Sequence, residues 1–285
     1  MMFDDLEELS AERLAAPETA LVVAHYQRAV PLLAKDFPHV PLVSSYHLEG
    51  LGKPAVFKET WKPEKVPHTM STVDVLTSRG EHHLYLALTE NAVLWLAHRG
   101  AVGMLSWTPS PRDPGCVGYA RILLRRCNAA TEADLKTALE ALRALLRESR
   151  LEAIPVLDGH DGAALFVPFG DIPLYDAVRE WLHAFCKRAV EQHPERLTEA
   201  RDPAERGNRV HLAVTTNAVG HFSSLPYSLA GNPQLSMVTP IEWEELARID
   251  NGTYTAQNSA ERLIRDVFGD MAAAMGMQRF SSITS

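Results

Sequence analysis

Apolar residues recur along this chain at two spacings, one typical of helices and one typical of strands. Between residues 132 and 148, leucines recur every three or four positions with charged side chains between them, which predicts a helix with one buried face. The predicted helices are Glu18–Lys35, Asn91–His98, Glu132–Glu148, Pro173–Gln192 and Ser259–Met275. Asp171, two residues before Pro173, is predicted to cap the fourth helix, because a carboxylate can accept N–H bonds from the first turn.

Short apolar or alternating runs separate these helices and predict strands. The predicted strands are Val40–Ser45, Ala55–Lys58, His82–Leu88, Val117–Leu124, Ala153–Leu157, Ala163–Val167 and Arg209–Thr215. Because helices and strands interleave, the pattern favours a mixed α/β (α+β) fold in which the sheets are flanked by helices. With 285 residues and no internal repeat, the chain is expected to form one compact domain over residues 1–285, with residues 1–19 as an acidic N-terminal extension.

Composition and charge narrow the classes of function. Apolar residues make up 46% of the chain and charged residues 22%, which is ordinary for a globular protein. There are 28 Lys and Arg against 36 Asp and Glu, a formal net charge of -8. Such a chain lacks the basic field of most nucleic-acid-binding proteins, so contact with DNA would need a local basic patch. The charge alone favours a scaffold that binds another protein and has no nucleic-acid role.

Cysteine usage and the start of the chain bear on location. Cys116, Cys127 and Cys186 are odd in number and widely spaced, which argues against a disulfide framework or a zinc knuckle. The first residues lack the basic and apolar regions of a secretory signal, and no apolar run has the length of a membrane span. The expectation is a cytoplasmic protein with no membrane partner.

Several segments, in order along the chain, resemble one known family. They are HYQRAVPLLAKDFPHVPLV from His25, NAVLWLAHRGAVGMLSW at Asn91–Trp107, RVHLAVTTNAVGHFSSLPYSLAGNPQLSMVTPIEWEEL at Arg209–Leu246 and ERLIRDVFGDM at Glu261–Met271. Together they are similar to the polymerase domain of the bacterial end-joining ligase LigD, a member of the archaeo-eukaryotic primase superfamily. The resemblance covers residues 20–275 and implies a primase-polymerase fold.

The positions that carry chemistry in that family differ here. Nucleotidyl transfer uses Mg or Mn ions held by carboxylates, which the family supplies as three aspartates. The resemblance places Leu123 and Arg125 at two of these acids, Ala213 at the third, and Ala164 at a phosphate-binding histidine. It therefore implies a non-catalytic homologue, with no cofactor and no bound nucleotide. Such a protein would bind DNA ends or a repair protein, a ligase or a Ku-like protein, in non-homologous end joining.

The family's nucleotide pocket has also lost its cations in this chain. Asp161 stands where the family has a lysine, and Ala230 and Asn232 stand where it has two arginines. A triphosphate would therefore meet acids without compensating cations. The alternative is an active nucleotidyltransferase, a DNA-directed polymerase or primase that uses Mg or Mn with displaced ligands. Asp158, His160 and Asp161 are weak candidates for holding such a metal, because a cluster of this kind is more often simply a turn, whose backbone shape Asp and Gly stabilise themselves.

Arginines near the lost acids form the remaining candidate site. Strand alternation places Arg121, Leu123 and Arg125 on one face, where guanidinium groups could replace the metals and hold a DNA phosphate. The candidates for nucleic-acid or phosphate binding are Arg121, Arg125, Arg126 and Arg209. The alternative is that these arginines pair with nearby acids or are simply exposed to solvent.

Overall fold

Five α-helices lie within the residues that the computed structural model describes, which are 16–76, 80–107, 109–214, 217–276 and 278–283. They are α1 (Ala16–Asp36), α2 (Glu90–His98), α3 (Glu132–Glu148), α4 (Tyr175–Gln192) and α5 (Val267–Met275). The start of α3 follows from its sequence. The Thr131 side chain accepts a bond from the backbone N–H of Asp134, and the Asp134 side chain accepts one from the N–H of Thr131, so the first turn is capped.

The first of two sheets is formed by strands from the early part of the chain and one late strand. They are β1 (Pro41–Tyr46), β2 (Val56–Lys58), β3 (Thr72–Leu76), β4 (His82–Ala87), β5 (Gly103–Ser106) and β11 (Ser223–Ser224). Among the described residues, their order is β11, β5, β1, β4, β3, with β2 also paired to β1. All of these pairs are antiparallel.

The second sheet holds the remaining strands. They are β6 (Tyr119–Arg126), β7 (Ile154–Leu157), β8 (Gly162–Pro168), β9 (Leu197–Thr198), β10 (Val210–Ala213) and β12 (Thr239–Pro240). Their order in the described chain is β12, β7, β8, β6, β10, β9, and only the pair of β9 and β10 is parallel. The mixed α+β class predicted from the sequence is confirmed.

Strand β6 separates two hydrophobic cores. Ile122 and Leu124 on one of its faces are buried with leucines of α3 such as Leu139. Leu123, on the opposite face, packs against the second core, which contains residues of α1, α2 and the first sheet. The face of β6 that carries Leu123 is therefore turned toward the first sheet.

The last predicted helix is wrong over its first half, because α5 begins only at Val267. The Ser259 hydroxyl is hydrogen-bonded to the buried ring of His25 at 2.8 Å, which holds this residue by a tertiary contact. Residues Arg262–Ile264 form a separate short 3₁₀ turn. The Asp266 side chain then accepts a hydrogen bond from the N–H of Gly269 and caps α5.

Other differences are smaller. Asp171 does not cap α4, because its carboxylate accepts the N–H bonds of Phe280 and Ser281 at 2.8 and 2.9 Å. The predicted strand Arg209–Thr215 is observed as β10, and its end at Thr215 lies outside the described residues. Among the described helices, none combines the length and apolar character that a membrane crossing requires.

Candidate functional site

The positions at which the resemblance placed lost catalytic groups lie side by side in the second sheet. Leu123 on β6 is directly opposite Ala164 on β8 and Ala213 on β10. Directly opposed side chains have Cβ atoms about 4.5–5.5 Å apart, so carboxylates at the positions of Leu123 and Ala213 could share one ion, with the phosphate-binding position at Ala164 beside them. We call Ala164, Leu123 and Ala213 the apolar row. Arg125 follows two residues along β6, opposite His211.

The chemistry of the apolar row does not suit a hard cation. Mg²⁺ and its close analogues need carboxylate, carbonyl or water oxygens, whereas these side chains are hydrocarbon. Arg125 adds a positive charge beside them. Among the described residues, no group of three or more His, Cys, Asp or Glu side chains has the arrangement of a metal site.

A cleft of about 490 Å³ opens between the two sheets above Leu123 and Ala164. Its apolar lining consists of Leu105, Leu123, Leu124, Val156, Ala163, Ala164, Phe166, Phe222 and Val238. Its polar lining consists of Arg125, Asp158, His160, Arg206, His211, Ser223 and Ser224. Most of the apolar residues are buried, while every polar one is exposed or half-buried. The cleft therefore has an apolar interior and a polar rim.

Arg121 lies at the closed end of this cleft and has no exposed surface. Its guanidinium donates to the carbonyl of Ser106 at 2.8 Å, to the Ser223 hydroxyl, and to the carbonyl of His221 at 3.2 Å. Burial lowers the pKa of Arg121 to about 10, so the side chain stays charged at neutral pH. The residue joins β6 to the first sheet, and in this position it cannot meet a DNA phosphate at the surface.

Arg125 lies at the open end of the cleft. Its side chain is 67% exposed, and its Nε lies 3.6 Å from a carboxylate oxygen of Asp161, a loose ion pair. Of the four predicted phosphate-binding arginines, it is the one that both lines the cleft and is largely exposed.

Arg126 and Arg209 lie away from the cleft lining. Arg126 donates from Nε to the carbonyl of Asp161 at 3.1 Å and lies 3.6 Å from Glu132. Arg209 donates to the carbonyls of Arg206 at 2.8 Å and Glu205 at 2.5 Å. The structure thus gives both side chains local structural partners and does not bring them together with Arg125.

Arg206 also lines the cleft, and it was not among the arginines predicted from the sequence. It lines the cleft with His211 and donates to the carbonyls of Ala200 and Arg201 at 2.9 and 3.1 Å. Burial, together with the charges of Arg206 and Arg125, holds the pKa of His211 below its usual value. The local sequence offered no signal, since the approach of Arg206 to β10 depends on how the loop folds back.

The turn with Asp158, His160 and Asp161 is held by its own backbone. One oxygen of Asp158 accepts the N–H bonds of His160 at 2.8 Å and Gly162 at 3.0 Å. Burial raises the pKa of this carboxyl. Gly159 has a φ of +80°, a conformation that suits glycine. These contacts match the reading of the segment as a turn.

The loop that follows β11 is held by contacts with itself and with neighbouring segments. The Asn232 amide donates to the carbonyl of Gly159 at 2.7 Å and to the Ser236 hydroxyl at 3.0 Å. At Gly231, an added Cβ would lie 1.7 Å from the ring of His47, so only glycine fits. Where the family carries two arginines, this chain has a tight loop without cationic side chains.

An aromatic pair at the cleft mouth was not anticipated from the sequence. Phe57 on β2 is 44% exposed, and its ring lies 5.2 Å from that of Phe222, which lines the cleft. Exposed aromatic rings can stack on nucleic-acid bases. The sequence predicted a short strand at Ala55–Lys58 that contains Phe57, but it did not indicate which face of the strand this residue occupies.

Comparisons with known proteins support the fold described above. Residues 20–271 match the family described as "LigD, primase-polymerase domain". Over 244 residues, 84% of this chain, the sequence is 22% identical to the multifunctional non-homologous end joining protein LigD of Mycolicibacterium smegmatis, and the match spans about a third of that protein, 32%. The structure is similar to the polymerase domain of Mycobacterium tuberculosis ligase D in complex with DNA, with a TM-score of 0.81, 18% identity, and coverage of 93% of this chain and 96% of that one. The fold is the one that the sequence resemblance implied.

Proposed function

The chain belongs to the LigD primase-polymerase domain family, and from that premise we propose that it is a member that does not polymerise and instead binds DNA ends in non-homologous end joining. The curated relative is a multifunctional end-joining protein, and the similar structure is a polymerase domain with DNA. These two proteins are the reason for proposing a role in end joining and in DNA binding.

The observation that carries the proposal is the apolar row. Polymerases of this kind use divalent metals to neutralise phosphate charge and to activate the attacking hydroxyl. In this chain Leu123 and Ala213, at two positions of the metal-binding acids, lie opposite each other, and Ala164, at the position of the phosphate-binding histidine, lies beside Leu123. A one-residue shift of register would move the whole set to the other face, so their common position supports the correspondence.

Binding of a nucleoside triphosphate is disfavoured for a second reason. Asp158 and Asp161 lie on the turn beside the cleft, and the loop at Ala230 and Asn232 supplies no cation. A triphosphate carries several negative charges, more than Arg125 and Arg206 can balance beside these acids when no metal is bound. We therefore expect neither Mg nor Mn nor a nucleotide as a working component.

DNA-end binding is supported by the open rim of the cleft. Arg125 presents an exposed guanidinium for a phosphate oxygen, and Phe57 with Phe222 presents rings for an unpaired base. Arg125 lines the cleft, and Phe57 packs against Phe222, which also lines it, so the overall charge of -8 does not prevent a local contact.

Primer extension with manganese on primed and gapped DNA tests the first half of the proposal. The polymerase domain of M. tuberculosis ligase D serves as the positive control under the same conditions. We expect no extension above background from this protein. Template-directed extension would refute the proposal and support the alternative of displaced metal ligands.

Binding to gapped DNA with a 5′-phosphate tests the second half. Fluorescence anisotropy over a series of salt concentrations should show binding that weakens as salt rises, because phosphate contacts release counterions. Absence of binding at low salt would favour the alternative role, a scaffold that contacts another protein.

A further inference from the structure

We propose that the cleft itself binds a small organic anion, a molecule with a flat apolar body and one carboxylate, sulfonate or phosphate group, without a metal ion. This goes beyond the DNA-end binding proposed above, because the ligand enters the cleft while DNA would lie across its mouth.

The interior has the size and surface of a small-molecule site. Its volume of about 490 Å³ falls within the range of roughly 300–1,000 Å³ that is common for such sites. Val156, Phe166 and Val238 form buried apolar walls. Ala164 at the base contributes only a methyl group, so the space that a larger side chain would fill stays open. An apolar body of one or two rings fits this interior.

The rim on the β6 and β10 side supplies positive charge. Arg125 and Arg206 both line the cleft, with His211 directly opposite Arg125. The two hydrogen bonds described for Arg206 go to carbonyls, which do not cancel its charge as a carboxylate would. His211 adds a ring N–H donor. Two guanidinium groups and an imidazole on one side favour an anionic group there.

The acids of the neighbouring turn do not cancel this positive charge. Asp158 directs one oxygen to two backbone N–H groups of its own turn. Asp161 pairs with Arg125 at 3.6 Å, and in so loose an ion pair a better-placed anion can displace the carboxylate. His160, on the same turn, is exposed. The site is therefore polarised, with its anion-binding side at Arg125 and Arg206.

A matched pair of fluorescent probes tests the inference. Naphthalene-2-sulfonate has a flat apolar body of two rings with one anionic group, and naphthalene has the same body without it. We expect saturable binding of the sulfonate at one site per folded chain and binding of the neutral probe about tenfold weaker, since one charge-assisted hydrogen bond is lost. No saturable binding, or equal affinity for both probes, would overturn the inference.

Two variants locate the site, and a third serves as control. Arg125→Ala should weaken the sulfonate about tenfold and leave the neutral probe unchanged. Ala164→Phe should weaken both probes because it fills the interior. Arg179→Ala, which removes an exposed arginine of α4 paired with Asp176, should change neither. If Ala164→Phe fails to fold by circular dichroism, Arg125→Ala with the probe pair still decides: an unchanged sulfonate affinity contradicts the inference.

Measuring gapped-DNA binding on the same preparations separates the two proposals. Sulfonate binding without DNA binding would overturn the proposed function and leave this inference standing. DNA binding without saturable sulfonate binding would overturn this inference alone.

Discussion

Arg121 and Arg125 lie on the same face of β6, yet the two ends of that face behave differently. At the closed end, β5 and β11 place a carbonyl and a hydroxyl over Arg121, and the guanidinium is completely buried. At the open end the first sheet does not pack directly on Leu123, so the cleft lies above this residue and the Arg125 side chain reaches solvent. Identical side chains thus hold the sheets together in one place and offer a binding group in the other.

This contrast separates stability from function along one strand. Substitutions at the closed end should change the free energy of unfolding, because they leave buried acceptors without a donor. Substitutions at the open end should change ligand or DNA binding and leave the fold intact. The predictions below follow this division.

The largest effect is expected from Arg121→Ala. The change leaves the carbonyls of Ser106 and His221 without their donor and opens a cavity between the sheets. We expect the free energy of unfolding to fall by about 3–5 kcal/mol, measured by urea denaturation, since each buried acceptor that loses its donor costs about 1–3 kcal/mol. Arg125→Ala, the matched control on the same strand face, should stay within about 0.5 kcal/mol of the unmodified protein. Similar losses for both variants would remove the distinction between the two ends.

The free energy of unfolding is expected to depend on pH through Asp36, a partly buried carboxyl at the end of α1. Burial, with the charge of Asp266, raises the pKa of Asp36 from 3.8 to about 8. Below about pH 4 the contribution of Asp36 to the free energy of unfolding is fully present. Between about pH 4 and pH 8 the unfolded chain releases the proton that the folded chain retains, so stability falls by up to about 1.4 kcal/mol per pH unit.

Urea denaturation between pH 5 and pH 8 measures this slope. Asp36→Asn keeps a neutral side chain at every pH, so its slope should be flatter than that of the unmodified protein. Equal slopes for the two proteins would show that Asp36 titrates normally.

At the open end, Arg125→Ala should weaken binding of gapped DNA about tenfold, because one charge-assisted phosphate contact is lost. The slope of log affinity against log salt should become shallower by about one. Anisotropy titrations at several salt concentrations measure both quantities, with Arg179→Ala as the control. An unchanged slope would mean that Arg125 does not contact phosphate.

The smallest effect is expected from Phe57→Ala. Loss of a half-exposed stacking ring corresponds to the low end of base stacking energies, about 1 kcal/mol or fivefold in affinity. The effect should appear with DNA that has an unpaired base and be absent with blunt duplex. Equal weakening of both substrates would argue against stacking.

Sequence patterns were sufficient for much of the fold because local signals and packing agree there. The helix at Glu132–Glu148 has both a capping box and a regular apolar stripe, and it is observed with those bounds. The segment from Ser259 fails because its apolar spacing is helical while Ser259 is held by His25, far away in the chain. Spacing carries no information on such a contact.

The site shows the same limit. The family resemblance assigned Leu123, Ala164 and Ala213 to lost catalytic groups, whereas their position side by side is known from the strand register of the structure. Sequence patterns could not show that Arg121 is buried or that Arg206 reaches the cleft. How deeply a side chain on a strand is buried depends on which segment of the other sheet packs over it. Those two facts needed the tertiary structure.

Direct titration of Mn²⁺ into the protein tests the central claim, that the family's fold persists here without a catalytic metal site. Isothermal calorimetry should show no saturable binding to the unmodified protein. The variant Leu123→Asp with Ala213→Asp, which returns two opposed carboxylates to the row, should gain binding. Stoichiometric Mn²⁺ binding to the unmodified protein that is strengthened by a nucleoside triphosphate would contradict the account.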